Sequence, residues 1–598
     1  MSMPMSIPLS PQRRRVLAGL AGLIAGPLPL FAGAQESPVR ALAERYTEAL
    51  LDADPFWASS LGLATPAQAS RLPMAIAPRV RERTAAMRRD TLAALGRIDR
   101  RTLGDADRIT CEMVEHHARD GLEQNRFPAH LLPIDHMGAS ELFMMAAPTA
   151  NALSGFASVT DHRHHIDRLR ALPAWCAQAE TNLREGVRRG IVLPTVIIER
   201  TLPMLRALLD PAPERNPFME PLKRLPPDAS PAERDQLRGT YRDAVTREVI
   251  PAVARLADTL QREVLPHGRP GAGLGALPDG AAWYAQCVRS STTTSLTPKE
   301  IHALGLAEVA RLREEMRKLQ QHYRFEGRLE DFLVWHGRRP EARPFKTERE
   351  VLDAYATLNQ RIAPQLPRLF GRVPKAPLEI RPEPELTRDT ASDHYMPPSP
   401  DGSRPGVFYA VITDPKAYAT PRMATLFLHE GQPGHHYQGA LAQELPLTRL
   451  QRFWFYDAYG EGWALYAETL GHQLGLYDDP NAYLGHLSLA MLRAVRLVVD
   501  TGLHDQGWSR ERAIDYLQSN TGFNARDSRA QIERYMVAPG QALSYAIGRM
   551  RIESLRERSR AALGGRFSLA AFHDQVLGSG SLPLAVLEAK IERWIAAA

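Results

Sequence analysis

The chain has 598 residues, is 44% hydrophobic and 24% charged, and carries a formal net charge of +6. This composition fits a globular protein with room for two to four domains and excludes a disordered chain or a membrane channel. No basic tract with interleaved aromatics occurs, which argues against nucleic acid, and three unpaired-looking cysteines (Cys111, Cys176, Cys287) give no disulfide framework, although one bridge stays open.

Residues 1–34 read as an export signal. Arg13, Arg14 and Arg15 precede an apolar run from Val16 to Phe31, and small residues end at Ala34. The "RRRVL" order suggests a twin-arginine signal, and the run is too short for a comfortable membrane span. Its removal takes away three arginines and no acid, leaving 71 basic against 68 acidic residues, or +3. The mature protein is expected in the periplasm or outside the cell, with no stable membrane span and no indicated lipid anchor.

The pattern after the signal is helical. Ser37-Pro38 can cap and start a helix with Val39, Leu42, Ala43, Tyr46 and Leu50 on one face. "DHRHHIDRL" holds His162, His164 and His165, and reads as a solvated helix face. "HGRPGAGLGALPDG" (267–280) is the strongest candidate boundary, dividing an N-terminal helical lobe (35–280) from a catalytic lobe (281–598). Thr297, Pro298 and Glu300 form a capping box ahead of Ile301, Leu304, Val309 and Leu312. Strands are expected only at 377–382 and, more strongly, at 406–412. The fold is thus predicted to be mainly α and two-lobed, with a small β element beside an active-site helix.

That helix, "TPRMATLFLHE", runs into Pro433 directly after His429 and Glu430. Pro433 has no N–H for the His429 carbonyl, and Gly431 and Gly434 free the backbone. On a straight helix His435 would face ~240° from His429, whereas His436 would share its face ~10.5 Å along the axis. A two-residue bulge at Pro433-Gly434 would return His435 to the place where an H-E-x-x-H motif puts its second histidine. His435 is therefore favoured over His436 as the partner of His429.

A catalytic zinc site normally takes three protein ligands. "YGEGWALYAETLGHQL" offers Glu461, Glu468 and His472 on one helical face. Glu461 is the first choice for the metal, with Glu468 orienting a ligand histidine and the reverse assignment open. Such a site, holding one zinc ion or another divalent metal, brings the pKa of a bound water to about 7, and Glu430 can take that proton.

The pattern H-E-x-x-P-G-H-x-x-Q at His429–Gln438 resembles the bacterial DUF 885 family. "PPSPDGSRPGVFY", "EGWALYAE" and "IERYMVAPGQALSYAIG" are similar too, and the likeness is dense from about Ser295 onward. That family is grouped with zinc peptidases of the gluzincin type, whose third ligand is Glu; this implies Glu461 as ligand. The implied function is hydrolysis of a peptide or small amide substrate. The alternatives are a non-peptide amidohydrolase, or a periplasmic binding protein with a degenerate metal site.

Further residues are expected near the chemistry. Tyr545, or else Tyr535, would donate its phenol to an oxyanion. Arg549 would grip a substrate carboxylate or serve in a structural ion pair. The strand containing Tyr409 would either pair with an extended peptide or lie buried, and the 392–406 loop would line the cleft through His394, Tyr395 and Arg404. His504 is better read as structural, and "LRAVRLVVD" (492–500) as a core helix. Substrate identity and oligomeric state are not legible.

Overall fold

The computed structural model describes residues 37–148, 153–210, 212, 215–385, 388, 391–399, 402 and 404–598. The expected export signal lies outside them. The described chain is mainly α-helical with one small sheet, as the sequence implies.

Local chemistry sets the helix boundaries. Ser37 caps α1 (Pro38–Ala53), whose Val39, Leu42, Ala43, Tyr46 and Leu50 are buried. α2 (Asp105–Gln124) packs against it. α3 (Val159–Arg189) starts from a Ser158–Asp161 capping box. α4 (Pro298–His322) opens on the expected Thr297–Glu300 box, with Glu300 Oε2 accepting from the Thr297 amide at 2.8 Å.

Two predictions fail in this region. His162 and His165 are buried, because α3 turns them onto Tyr241, whose hydroxyl lies 3.1 Å from His162 Nδ1. The glycine-rich segment at 267–280 is packed, since a Cβ on Gly273 would lie 1.7 Å from the Leu503 carbonyl oxygen. Accordingly, the two large apolar cores do not follow the expected division at 280. One joins Phe56–Ala272 residues to Val309–Ala542; the other joins Val39–Ala118 residues to Val351–Ile591.

The sheet comprises β1 (Leu378–Pro382), β2 (His394–Met396) and β3 (Gly406–Ala410), in the order β1-β3-β2. β3 runs parallel to β1 and antiparallel to β2. Paired on both sides, it has no free backbone for a peptide strand, contrary to the peptide-pairing expectation. The edges belong to β1 and β2.

Five later helices build the site: α5 (Met423–Glu430), α6 (His435–Glu444), α7 (Asp457–Thr469), α8 (Pro480–His504) and, after α9 (Ala525–Val537), α10 (Ser544–Leu563). α8 is long and apolar enough to cross a membrane, but 78% of its most apolar window is buried inside the protein, which makes it a core helix. α4 lies close along it at Gly305, where a Cβ would meet the Leu497 side chain at 2.7 Å. α7 and α10 cross even more tightly through Gly462 and Gly548. All three cysteines are free thiols.

Candidate active site

The backbone at residues 431–434 explains the interrupted motif. α5 stops at Glu430, the Gly431 amide donates to the Phe427 carbonyl at 2.9 Å, and a new helix begins at His435. The chain is therefore broken into two helices rather than kinked within one. Gly434 permits the turn: a Cβ there would sit 2.0 Å from the His429 carbonyl oxygen. The Trp463 indole N–H donates to the Pro433 carbonyl at 2.9 Å, tying the turn to α7.

This turn sets the His429 and His435 rings edge to face, with centroids 4.8 Å apart. Both Nε2 atoms approach Glu461 Oε2, at 3.4 Å for His429 and 3.5 Å for His435. Glu461 Oε2 is buried and has no hydrogen-bond partner. The donor atoms of the three residues lie within 4.8 Å of one another. Ligands about 2.0–2.1 Å from a tetrahedral zinc stand about 3.3 Å apart, close to the two distances found, so the residues present fit a divalent ion.

Glu468 supports this group from beneath. It is fully buried, and its Oε1 lies 2.8 Å from His429 Nδ1. An ionised carboxylate only accepts, so Nδ1 carries the hydrogen and Nε2 is left to face Glu461. Burial alone would lower the His429 pKa; the neighbouring Glu461 and Glu468 carboxylates outweigh it and hold the value up at about 9. For Glu461, burial is likewise overcome by His429 and His435, which hold its carboxyl well below the usual range.

His436 points away from this group. Its Nδ1 is 3.1 Å from the Tyr395 hydroxyl, against β2, and burial lowers its pKa to about 4. His472 stacks edge-on against Tyr477 and Tyr483.

A cavity of about 710 Å³ opens over the group and takes in Glu430, Tyr545, His394 and Tyr395. Tyr545 reaches it because the α7–α10 glycine crossing brings it close to Glu461. Burial and the Glu461 charge raise its phenol pKa. Tyr535 is instead engaged by Arg496 and Gln531.

Three expected substrate contacts are not part of the cavity wall. Arg549 is committed to Glu308 at 2.7 Å and Glu553 at 3.0 Å. Tyr409 stacks behind His394, with centroids 5.2 Å apart. Arg404 holds its own loop through Ser399, to which its amide donates at 2.8 Å. His504 is structural, with both nitrogens bonded to backbone, to the Leu274 amide and the Tyr535 carbonyl.

What sequence reasoning missed is the basic part of the cavity wall. Five arginines line it: Arg422, Arg452, Arg493, Arg496 and Arg534. Phe455, 47% exposed, lines the cavity beside His435, with ring centroids 6.2 Å apart. The signal was present for two of them, since Arg493 and Arg496 interrupt an otherwise apolar helix.

The chain belongs to the family described as bacterial protein of unknown function DUF885, which it matches over residues 55–591. Its fold is similar to a candidate lipoprotein from Colwellia psychrerythraea (TM-score 0.85, 26% identity, 94% of this chain and 99% of that one). It also resembles a candidate lipoprotein of unknown function from Shewanella oneidensis (TM-score 0.72, 17% identity, 92% and 99%). Comparison with curated proteins gives no match.

Proposed function

We propose that the protein is an exported, zinc-dependent hydrolase of peptide or related amide bonds, related in design to the gluzincin peptidases. The observation that carries this reading is the meeting of His429 Nε2 and His435 Nε2 at the orphaned Glu461 Oε2. His429, His435 and Glu461 would hold the ion, which supplies Lewis acidity and brings the pKa of water to about 7. Glu430 faces the same cavity and takes a proton from the attacking water, passing it to the leaving amine. Tyr545 donates its phenolic hydrogen to the developing oxyanion; its raised pKa keeps that hydrogen in place at neutral pH. Glu468 fixes the His429 ring.

Export accords with the description of both structural neighbours as candidate lipoproteins, and that description gives no support to the expected lack of a lipid anchor. The test is elemental analysis of the purified protein together with peptide hydrolysis by the parent and Glu430→Gln. One zinc per chain and a loss of turnover of about a hundredfold or more in the variant are expected. Metal-free protein, or full activity in the variant, overturns the reading.

A further inference from the structure

The arginines of the cavity have few carboxylate partners. Other half-buried arginines are neutralised, Arg549 by Glu308 and Glu553, Arg449 by Glu44 and Glu48, Arg510 by Glu533, while Arg168 and Arg269 each stand alone on neutral oxygens; the cavity differs in gathering several such arginines over one open space. Among the described residues, no carboxylate lies within 4.0 Å of Arg422, Arg452, Arg496 or Arg534. Arg493 is the exception, with Glu468 at 3.7 Å. The cavity thus presents five arginines against three carboxylates, Asp393, Glu430 and Glu461, and the last belongs to the histidine pair.

The partners these arginines do have are neutral. Arg496 is only 6% exposed, yet its Nε donates to the Tyr535 hydroxyl at 2.9 Å and its Nη2 to Gln531 at 3.3 Å. Its guanidinium lies 4.6 Å from the Tyr545 ring centroid. Arg534 Nη2 donates to Gln541 at 2.7 Å. Arg452 Nε is buried with no partner at all. Neutral partners fix the Arg496 and Arg534 forks in position without cancelling their charge, and burying uncompensated charge is costly unless a ligand completes the pair. A guanidinium fork matches a carboxylate in two hydrogen bonds.

We propose that the cavity is built for a carboxylate-bearing substrate, with Arg496 and Arg534 holding the carboxylate. Arg422 and Arg452 add to the positive field that draws such a substrate in. The inference rests on the cavity being the substrate site, and it restricts the substrate to acidic peptides or to peptides held by a free C-terminus. Sequence reasoning assigned this role to Arg549, which is occupied by glutamates.

Calorimetry on the full chain carrying Glu430→Gln, so that nothing turns over, tests it. The probes are Ala-Ala with a free C-terminus, Ala-Ala amide and Ala-Glu amide. At least one carboxylate probe should bind about tenfold tighter than Ala-Ala amide, and which one does identifies a terminal or a side-chain carboxylate. Adding Arg496→Gln or Arg534→Gln should erase the preference, while Arg349→Gln, a surface pair with Asp353 at 2.8 Å, should keep it. If circular dichroism shows that the buried Arg496 variant is unfolded, Arg534→Gln decides alone. Equal binding of all three probes, or a preference that survives the arginine substitutions, overturns the proposal. A metal-free, inactive protein that still prefers carboxylates would remove the hydrolase reading and leave this one. A zinc-loaded enzyme without the preference would do the reverse.

Discussion

His429 Nδ1 lies 2.8 Å from Oε1 of Glu468, a carboxylate with no exposure to solvent. The pair fixes the ring plane and the tautomer of His429, so its Nε2 is aimed before any ligand arrives. Glu468→Gln keeps the shape but removes the charge. Such a change beside a metal ligand weakens metal affinity by about 10–100-fold. Competition against a chelator reads this directly, and an unchanged affinity would separate Glu468 from the centre.

His435 and His436 are neighbours in sequence with different surroundings. His435→Ala should abolish stoichiometric zinc binding, whereas His436→Ala should retain it and lose only the contact with Tyr395. Elemental analysis of both variants decides between them; retention by the first and loss by the second would reverse the assignment.

Gly434 is needed for its missing side chain. A methyl group there would collide with the His429 carbonyl at 2.0 Å and the Leu428 carbonyl at 2.3 Å, both backbone atoms with little room to shift. Gly434→Ala should destabilise the fold by about 2–4 kcal/mol, seen as an earlier denaturant midpoint.

Asp500 gives the protein a pH signature away from the site. Buried on α8, it accepts from the Tyr284 hydroxyl at 2.6 Å and the Gly540 amide at 3.0 Å. Burial raises its pKa from 3.8 to about 7. A folded-state pKa above the unfolded one adds stability that is fully present below 3.8 and is lost as pH rises through about 7. Asp500→Asn removes that loss, so the variant should melt above the parent at pH 8 and not at pH 4. Melting curves that stay parallel across this range would exclude the effect.

Tyr545→Phe should lower kcat by about 10²-fold or more while leaving substrate affinity nearly unchanged, because its hydroxyl acts on charge that develops during reaction. A change confined to KM would make Tyr545 a contact residue instead.

The sequence was most informative where a covalent constraint acted locally. Pro433 cannot donate and Gly434 has no Cβ, and these two facts pointed to His435 over His436 as the histidine that faces His429. Capping boxes such as Thr297–Glu300 were equally local. Long-range consequences were not legible. Arg549 shares a helical face with Tyr545, but only the approach of α4 brings Glu308 to neutralise it. The strand at 406–410 looks like any short buried strand until β2 folds against it and takes the edge. His162 and His165 seemed solvated because the tyrosine that buries them lies some 75 residues onward, a separation of 79 from His162. The arginine wall draws on four separate segments, and no spacing within one segment could show it.

The sharing of one core by residues 39–118 and 351–591 has a bearing on how the protein is made. α1 is held by Arg449, which bonds Glu44 and Glu48, and α2 by Arg593, five residues from the end, which reaches Asp105 at 2.8 Å. α1 and α2 therefore have no finished surface to rest on until residues 351–591 have followed them from the ribosome. Completion of this core must wait for both segments, and loss of either one removes the same core.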